Sequence, residues 1–293
     1  MEAEVSVITV NFNAGEALTT CVRSVLASSV GVEQIVVDNG STDGSIALLR
    51  GAIGAEPRVR IVEAGQNLGF ARANNRGLSF AGGSFLLFLN PDSVIDPETI
   101  ARMRRAMETH PEAGLGGGLL LNPDGSEQAG GRRRIPTPNL ALGRAFGLSR
   151  FFGAEHDFIL TGTPLPSGPI EVEAISGAFM FVRRAALVEV GPLDERYFLH
   201  CEDLDWCVRF RRAGWRVLFV PDARVVHDKG LSSRGRPVRV LWHLHRGMVR
   251  FYRKFFRDAY PAPVMWLVFT GIALRFGTLA LLAILRRGSA PEP

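Results

Sequence analysis

Carboxylates and one histidine occupy four places in the sequence where an apolar run ends or a helical pattern begins. Asp38 closes one apolar run and Asp92 follows another, while Glu202 and Asp203 open a segment with helical spacing. His227 comes directly after a further apolar pair. Carboxylate oxygens and an imidazole nitrogen can bind a divalent cation or accept a proton, so these positions are candidates for metal-assisted or acid–base chemistry.

The tripeptide Asn90-Pro91-Asp92 follows Phe85–Leu89, the most apolar of the predicted strands. A carboxylate at that position can hold Mg²⁺ or Mn²⁺ against a diphosphate, because hard cations prefer oxygen ligands and readily share phosphate oxygens. Such a cation neutralises the charge that develops on a departing nucleoside diphosphate. The alternative is an ordinary turn after a strand, which the same three residues also favour.

Two glycine-containing segments are candidates for contact with a nucleotide. Asp38 precedes Asn39–Gly44 and could accept a hydrogen bond from the N–H of a base, although turn and capping chemistry also accounts for this segment. Asn67–Asn75 combines a glycine turn with a helix start, whose free backbone N–H groups and Arg72 could face phosphates. Capping and packing are the simpler explanation there, so both interpretations stay open.

The acidic segment Glu202–Asp205 also has two interpretations. Acids in the first turn of a helix stabilise the helix dipole. Alternatively, one of them deprotonates an incoming hydroxyl, a role for which a single carboxylate is sufficient. Farther along the chain, His227-Asp228-Lys229 supplies either a ligand for a metal or diphosphate, or a structural histidine.

The elements that must position these residues alternate between strands and helices in the first half of the chain. This alternation predicts an α/β fold with a mostly parallel sheet and right-handed crossovers. In such sheets ligands bind beyond the carboxyl ends of the strands, where Asn11, Asn13, Asp38 and Asn90 stand. The predicted strands are Val5–Val10, Ile35–Val37, Val59–Val62 and Phe85–Leu89, and the predicted helices are Gly15–Ser28, Phe70–Ala81 and one capped by Asp96.

The second half of the chain is less regular. We predict a long loop over Gly130–Gly168, which is rich in Gly, Pro and Arg, and loops of that length beside a site often contribute to function. The other predicted elements are strands at Leu119–Leu121, Ile175–Val182 and Trp215–Val220 and a helix at Glu202–Ala213.

The C-terminal region combines basic and apolar character. Arg234–Arg257 contains many arginines, interleaved aromatics and no carboxylate, a pattern typical of a helix at an anionic membrane surface. A helix packed on the rest of the protein is one alternative, and nucleic-acid binding is another, although no recognised motif accompanies it. Val264–Leu285 is long enough to span ~30 Å of hydrocarbon. Arg275 in its middle favours a monotopic anchor or a short hairpin over a single span, and Arg286 and Arg287 suit the cytoplasmic side.

The composition sets broader limits. A net charge of +5 and an isoelectric point of about 9.6 suit anionic partners such as nucleotides or phospholipid surfaces. The three cysteines, an odd number without C-x-x-C spacing, predict neither a disulfide framework nor a zinc site. The N-terminal MEAEVSVITV lacks the basic and apolar regions of a secretory signal, so we expect the first domain to stay in the cytoplasm.

Six segments, taken in order, resemble the large inverting family of GT-A glycosyltransferases known as family 2, and within it the bacterial rhamnosyltransferase-like branch. They span most of the chain, from about Val5 to His227. The segments are VSVITVNFNAG, VVDNGSTDGS, NLGFARANNRG, LLFLNPDS, ISGAFMFVRR and GPLDERYFLHCEDLDWCVRFRRAGW.

The resemblance implies a Rossmann-like GT-A fold, with a mixed, mainly parallel sheet flanked by helices. Residues 1–232 would form the catalytic domain, with the nucleotide-binding half at about 1–121 and the acceptor and catalytic half at about 122–232. Residues 233–293 would form a basic amphipathic and hydrophobic region that associates with a membrane.

On the donor side, the resemblance places nine residues around the nucleotide sugar. Asp38 resembles the carboxylate that reads a pyrimidine base, and the residues at the end of the first strand resemble a nucleotide contact. The nine residues are Val10, Asn11, Asn13, Asp38, Asn67, Gly69, Asn74, Asn90 and Asp92.

The metal site implied by the resemblance consists of Asp92 and His227, with Mg²⁺ or Mn²⁺ as the cofactor. The family's D-x-D element reads Asn90-x-Asp92 here, so this site has one carboxylate fewer. On the acceptor side, Gly177 and Ala178 resemble the loop beneath the acceptor.

The base implied by the resemblance is Asp203, with Glu202 as the second choice. The reaction would be inverting transfer of a sugar, with L-rhamnose from dTDP-rhamnose as the candidate, to a glycan or a polyprenyl-diphosphate-linked acceptor of cell-envelope polysaccharide synthesis. The enzyme would work at the cytoplasmic face of the membrane, without a nucleic-acid partner.

Two other functions remain open. One is a nucleotide-sugar-binding protein that has lost catalysis, which the intact Asp92, Glu202 and Asp203 argue against. The other is a nucleotidyltransferase, which likewise binds its nucleotide at the carboxyl ends of the strands of such a sheet. It would need a basic glycine-rich loop after the first strand, and Asn11–Gly15 lacks that basic character.

Overall fold

The structure is a computed structural model that describes residues 4–145, 157–228 and 237–288. The helices are α1 (Glu16–Leu26), α2 (Ser45–Ile53), α3 (Phe70–Leu78), α4 (Thr99–Thr109), α5 (Pro138–Ala145), α6 (Arg184–Val190), α7 (Glu202–Arg212), α8 (Pro237–Phe255) and α9 (Ala262–Gly288). The strands are β1 (Val5–Asn11), β2 (Val32–Asp38), β3 (Val59–Glu63), β4 (Phe85–Leu89), β5 (Ser93–Ile95), β6 (Ala113–Leu121), β7 (Arg132–Arg133), β8 (Ile170–Val172), β9 (Ala174–Ile175), β10 (Phe179–Arg183) and β11 (Arg216–His227).

A mixed sheet, ordered β3-β2-β1-β4-β10-β6-β11-β5 with β8 on β11, forms the centre of the protein. Strands β1 to β4 pair in parallel, and the register sets Asn11 beside Asp38. Strands β1 and β4 are buried on both faces, as expected for continuous apolar runs in the middle of a sheet. The predicted α/β fold is therefore confirmed.

The second half of the chain completes the sheet through antiparallel pairing. Strand β10 lies antiparallel between β4 and β6, and the long strand β11 runs parallel to β6 and antiparallel to β5. The pairing of β11 with β5 sets His227 beside Ser93, one residue after Asp92. This topology brings the end of the chain's last strand back to the end of β4.

Helices cover both faces of the sheet. On one face Ile8 and Val10 pack with α3, α7 and α8, where Trp206 and Phe251 are buried. On the other face Val7 packs with α1 and α4. The alternation along β1 divides the core between the two faces, as a two-residue period requires.

The C-terminal helices α8 and α9 form an antiparallel hairpin. Trp242 contacts Phe276 edge to face, while Arg253 lies over Phe269. The segment 262–285 within α9 is long and apolar enough to cross a membrane, and only 11% of its most apolar window is buried. The predicted short hairpin within this apolar segment is wrong, because the segment is one continuous helix.

Arg275, the cation in the middle of the apolar helix, has a partner. Its guanidinium donates to His245 Nε2 at 3.2 Å. His245 Nδ1 in turn lies 2.7 Å from the carbonyl oxygen of Leu241, which leaves Nε2 as the acceptor. The charge therefore points towards α8 rather than away from the protein, which lowers the cost of placing it in an apolar helix.

Several predicted boundaries need correction. The predicted loop over Gly130–Gly168 contains β7 and α5, and within it residues 146–156 lie outside the described part of the chain. The predicted strand Ile175–Val182 is two strands, because Ser176–Ala178 turns away from the ladder. Asp96 does not cap α4 through its side chain; its carbonyl oxygen accepts from Thr99 N instead. Elements that the sequence did not indicate are α2, α6, β5 and β8.

Candidate active site

The polar residues at the strand ends gather along one edge of the sheet. Asn11 and Asp38 end neighbouring strands, and Asn90 follows β4 on the other side of β1. Two inter-strand spacings place β2 about 10 Å from β4. The end of β11 reaches the same edge through β5. Side chains from residues as far apart in sequence as Asn11 and His227 therefore face one region.

The nucleotide end of this edge is a network around Asn11. Asn11 Nδ2 lies 3.0 Å from Asp38 Oδ1 and 2.8 Å from Ser45 Oγ, and Asp38 Oδ2 accepts from Ser41 N. Asn13, in a left-handed conformation with φ 53°, accepts from Thr42 N through its Oδ1 at 2.8 Å. The two loops after β1 and β2 are thus tied together, with Asp38 between them.

Other donor-side residues form a second layer at this end. Asn67 Oδ1 accepts from Gly69 N at 2.9 Å and from Asn39 Nδ2 at 3.1 Å. Gly69 has φ 84°, and a Cβ there would lie 2.5 Å from the carbonyl oxygen of Phe198, so only glycine fits. Asn74 lies inside α3, where its amide donates to the carbonyl oxygen of Phe70.

Val10 packs into the core and is 8% exposed, so its side chain is turned away from the edge of the sheet. Its backbone pairs with Val37 in the ladder between β1 and β2. Any contact between Val10 and a nucleotide must therefore come from its main chain.

The first carboxylate centre joins Asp92 to His227. His227 Nε2 lies 3.2 Å from Asp92 Oδ1, and both side chains are more than nine-tenths buried. His227 Nδ1 lies 2.6 Å from Gln128 Oε1, and Gln128 Nε2 donates to the carbonyl oxygens of His227 and Asn122. The acceptor on Asn122 is its side-chain Oδ1, whereas that on His227 is the main-chain oxygen. The amide of Gln128 is therefore oriented from both sides, and its oxygen can only accept the proton of His227 Nδ1.

The Nδ1 hydrogen bond leaves Nε2 facing Asp92. Asn90 Nδ2, 3.3 Å from Nε2, is a donor that suits a lone pair on that nitrogen. Asp92 Oδ1 is buried and receives no hydrogen bond among the described residues. In the neutral tautomer, an imidazole lone pair and an unsatisfied carboxylate oxygen face each other and can share a positive partner.

A divalent cation fits this pair. Two ligands that share one ion at right angles, each ~2.1 Å away, lie ~3 Å apart, close to the observed spacing. The described residues contain no cluster of three or more His, Cys, Asp or Glu side chains that could hold a metal, so the protein would supply only two ligands. Remaining positions on a cation held here suit phosphate oxygens and water.

The second carboxylate centre is Asp203, at the start of α7. Its Oδ2 accepts from Gly177 N at 3.1 Å and from Arg133 Nη2 at 2.5 Å, while its Oδ1 accepts from Leu204 N at 2.8 Å. Burial alone would raise the pKa of Asp203. The charge of Arg133 and its hydrogen bond outweigh that effect and hold the pKa below its ordinary value.

Glu202, next to Asp203, behaves in the opposite way. Its side chain is buried, its Oε2 has no hydrogen-bond partner among the described residues, and burial together with the charge of Asp203 raises its pKa to about 8. Asp205, the third acid of this turn, is paired with Arg209 and Lys254. Of the two adjacent acids, Asp203 is therefore ionised at neutral pH and Glu202 is protonated.

The two carboxylate centres are joined through neighbouring peptide units. Gly177 N donates to Asp203, and the carbonyl oxygen of Ala178 accepts from Asn90 N at 3.0 Å. A Cβ at Gly177 would lie 3.4 Å from Asp203 Cβ, so a larger residue would press on the carboxylate. The residues predicted as the acceptor loop thus lie between the two centres.

Backbone strain accompanies the second centre. His200 and Cys201 both have φ 70°, a left-handed conformation that non-glycine residues rarely adopt, directly before Glu202. Such strain of about 1–3 kcal/mol per residue persists where the surroundings fix the backbone, commonly at functional sites. The turn therefore aims the first residues of α7 at the sheet edge.

Three residues of this site were not among the site residues predicted from the sequence. Arg133 belongs to the run Arg132-Arg133-Arg134 inside the predicted loop, and these consecutive positive charges could have indicated a contact with a carboxylate or an anionic ligand. Asn39 was part of a recognised segment but received no role. Gln128 carried no signal, because its contact with His227 joins residues 99 positions apart.

Comparisons with known proteins identify the family of the chain. A model of the family described as glycosyl transferase family 2 matches residues 6–191. The chain is similar to the N-acetylglucosaminyl-diphospho-decaprenol L-rhamnosyltransferase of Mycobacterium tuberculosis, with 31% identity over 283 residues that cover 92% of this chain and 90% of that protein. It is also similar to rhamnosyltransferase WbbL of Escherichia coli K12, with 26% identity over 200 residues that cover 60% of this chain and 67% of that protein.

Among solved structures, the fold is similar to that of the mannosyltransferase PcManGT from Pyrobaculum calidifontis in complex with GDP-Man and Mn²⁺. The TM-score is 0.61 at 17% identity, and the match covers 100% of this chain and 77% of that one. At this identity the likeness shows the fold alone.

Proposed function

Because the chain belongs to glycosyl transferase family 2, we propose that it moves L-rhamnose from dTDP-rhamnose to a polyprenyl-diphosphate-linked sugar, with inversion, in cell-envelope glycan synthesis. Two similar proteins are named as rhamnosyltransferases, and the name of one pairs L-rhamnosyl transfer with a diphospho-decaprenol acceptor. That relative is matched over nine-tenths of both chains. These names support the donor sugar and the class of acceptor.

One observation carries the proposal: two carboxylate centres of different character share one sheet edge and are joined through Gly177 and Ala178. A single displacement at an anomeric carbon needs a base on one side of the sugar and stabilisation of the leaving group on the other. We assign Asp203 to the first role, and Asp92 with His227 to the second. The nucleotide is assigned to the end of the edge formed by Asn11, Asn13 and Asp38.

Asp203 is the better base of the two adjacent acids. At neutral pH its carboxylate is ionised and held by Arg133 and Gly177 N, whereas Glu202 keeps its proton. Among the described residues Leu204 N is the sole donor to Asp203 Oδ1, so that oxygen retains a lone pair for the acceptor proton. The bond from the acceptor oxygen to the anomeric carbon forms as the bond to the diphosphate breaks, and the proton goes to Asp203.

On the leaving-group side, Asp92 Oδ1 and His227 Nε2 would hold the cation, with Gln128 fixing the imidazole. A bound divalent cation would supply Lewis-acid stabilisation of the departing diphosphate. A nitrogen ligand suits Mn²⁺ better than Mg²⁺, which prefers an all-oxygen shell. The solved structure of PcManGT was obtained with Mn²⁺, which agrees with this choice.

A lipid-linked acceptor requires the enzyme to work at a membrane, and we assign this contact to α8 and α9. Apolar side chains such as Trp266 and Leu274 are 71% and 68% exposed on α9. Burial of such a surface in lipid would remove its contact with water. The division into a catalytic domain at 1–232 and a membrane-associating region at 233–293, and the cytoplasmic face as the location, are part of this proposal.

The test is a donor panel followed by a transfer assay. With Mn²⁺ present, we expect dTDP-rhamnose to raise the melting temperature more than UDP- or GDP-sugars do. We also expect dTDP release only when an N-acetylglucosaminyl-diphospho-polyprenol acceptor is added. Stabilisation by the donor without dTDP release would favour the inactive binding protein. Release of pyrophosphate from dTTP and a sugar phosphate would favour a nucleotidyltransferase.

A further inference from the structure

A row of arginines with one histidine runs along one side of α8. Arg239, His243, Arg246, Arg250 and Arg253 follow one another at spacings of three and four residues, so they share a face of the helix. The opposite side packs on the catalytic core through Phe251 and Phe255, which are buried. The row therefore lies outside the core, along the border between α8 and the loop that precedes α7.

Two adjoining clefts follow this row, with volumes of ≈ 330 and ≈ 460 Å³. We call them together the arginine cleft. Its cationic lining consists of Arg196, Arg246, Arg250, Arg253 and Lys254.

Three of these cations have no acid to neutralise them. No carboxylate of the described residues lies within ion-pair distance of Arg246, Arg250 or Arg253. Glu195, the acid that lines the cleft, is bonded to Arg72 and Asn75 instead. The cleft therefore has excess positive charge.

Aromatic rings hold these cations in place. Arg250 lies over the ring of Tyr197 at 5.7 Å and Arg239 over that of Phe198 at 5.9 Å, while His243 stacks on Phe198 at 4.2 Å. A guanidinium lying flat on a ring keeps the N–H groups at its edge available for an anion. The cleft is therefore a preorganised anion site rather than a set of mobile surface charges.

The pKa of His243 depends on the charges that line the cleft. Burial, and then the charges of Arg239 and Arg246, lower the pKa of His243. Glu195 and Arg196, in the loop before α7, line the same cleft. An anion bound between these groups would offset the repulsion and raise that pKa again.

The position of the cleft indicates which anion it suits. Helix α8 contacts the start of α7: a Cβ at Gly247, which lines the cleft, would lie 2.7 Å from the carbonyl oxygen of His200, three residues before Asp203. On the same helix, Arg253 lies over Phe269 of the exposed apolar helix α9. The cleft therefore adjoins both the turn that precedes Asp203 and the apolar helix.

We propose that the arginine cleft binds the diphosphate of the lipid-linked acceptor, between the sugar at Asp203 and the polyprenyl chain along α9. In such an acceptor the diphosphate joins the sugar to the hydrocarbon, and the cleft adjoins both the turn before Asp203 and the apolar helix α9. Paired arginines bind phosphate oxygens through two N–H groups each, which suits a diphosphate better than a single-charge headgroup. This inference rests on the proposed function for the identity of the acceptor, but it requires no catalysis to be tested.

The experiment measures binding of the full-length protein to three kinds of vesicle. One is phosphatidylcholine alone, one contains polyprenyl diphosphate, and one contains phosphatidylglycerol at equal negative charge. The test variant is Arg246→Gln/Arg250→Gln. The control, Arg105→Gln/Arg257→Gln, removes the same charge at exposed positions outside the cleft.

We expect the test variant to lose about tenfold or more in affinity for the diphosphate vesicles, because charge-assisted hydrogen bonds are lost. Its binding to phosphatidylglycerol vesicles should fall by a clearly smaller factor, because a headgroup of single charge accepts fewer charge-assisted hydrogen bonds from the two arginines. Both affinities of the control should change by less than about twofold. Equal losses on both anionic vesicles would show a general membrane-binding surface and overturn the proposal. Unchanged binding to the diphosphate vesicles would overturn it too.

Two further measurements separate the test of the cleft from misfolding of the variants and from the proposed function. In the wild type, polyprenyl diphosphate in nanodiscs should raise the pKa of His243, followed by NMR, and phosphatidylglycerol should not; an unmoved pKa would count against the cleft. The melting temperature of each variant shows whether it folds. Diphosphate binding with no transfer of rhamnose would refute the proposed function and leave this inference intact.

Discussion

Two aspartates at the same edge of the sheet have opposite surroundings. Asp203 accepts hydrogen bonds from Leu204 N, Gly177 N and Arg133, so its negative charge is compensated by the protein. Asp92 Oδ1 faces the lone pair of an imidazole and has no donor among the described residues. The difference shows how one fold can give two carboxylates distinct roles. The positive charge beside Asp203 comes from the protein itself, whereas that beside Asp92 would come from a bound ligand.

Replacing the compensated aspartate should have the largest effect. We expect Asp203→Asn to lower kcat by about 10²–10⁴-fold, the range contributed by a general base. Binding of the nucleotide sugar with Mn²⁺ should stay within about twofold, because Asp203 lies outside the assigned metal pair. Transfer assays and titration calorimetry measure the two quantities. Wild-type turnover in the purified variant would remove Asp203 from the role of base.

Replacing the uncompensated aspartate should have a different signature. Asp92→Asn keeps the size of the side chain but removes the charge that a cation requires. We expect transfer to fall by about 10²–10³-fold, as when one electrostatic stabiliser is lost, together with a loss of Mn²⁺ binding followed by electron paramagnetic resonance. If Asp92→Asn bound Mn²⁺ as the wild type does, the contrast between the two aspartates would be wrong.

The sequence was sufficient to predict this edge of the sheet but not its inner contacts. Strand ends such as Asn11, Asp38 and Asn90 could be located because apolar runs stop there and parallel strands align their carboxyl ends. The hydrogen bond between Gln128 and His227 and the ion pair of Arg133 with Asp203 join residues 99 and 70 positions apart. The sequence pattern within a short window cannot predict these two contacts, because they depend on where β11 and β7 lie in the folded protein.

Local errors have similar physical causes. Strand β5 has three residues, too few for a period to appear, and it exists because β11 extends to His227 and supplies its partner. Helix α5 lies in a stretch rich in Gly, Pro and Arg, which obscured its start, although Pro138 at the first helical position is a recognised start signal. The split at Ser176–Ala178 reflects tertiary contacts: this turn donates to Asp203 and accepts from Asn90.

A smaller effect should follow from the residue that orients the imidazole. Gln128→Met removes the acceptor for His227 Nδ1–H, so the tautomer is no longer fixed. We expect Mn²⁺ affinity to fall by about 10–100-fold, the usual consequence of losing such an orienting group. Nitrogen chemical shifts of His227 should report a mixture of tautomers.

The matched variant Gln128→Glu retains an acceptor for that proton. It should keep one tautomer and most of the Mn²⁺ affinity, even though it loses the donor to the carbonyl oxygen of His227. If both variants weakened Mn²⁺ binding equally while the tautomer stayed fixed, Gln128 would have a structural role only. The hydrogen bond to Gln128 would then no longer explain why the Nε2 lone pair of His227 faces Asp92.

The mildest prediction concerns Glu202 and requires no ligand. Its pKa is raised from an ordinary 4.5 to about 8 by burial and by the charge of Asp203. The folded chain therefore keeps this proton up to about pH 8, whereas the unfolded chain releases it near pH 4.5. Across that window the free energy of unfolding should fall as the pH rises, by at most ~1.4 kcal/mol per pH unit from this group.

Glu202→Gln cannot titrate, so the stability of this variant relative to the wild type should depend on pH. The two proteins should be similar near pH 5, where both side chains are neutral, and the variant should be the more stable one at pH 8. Urea unfolding at pH 5, 6.5 and 8 gives the difference, in which the contributions of distant groups cancel. A difference that stayed constant with pH would mean that Glu202 is ionised in the folded state. Glu202 and Asp203 would then both be charged, and the reason for preferring Asp203 as the base would be lost.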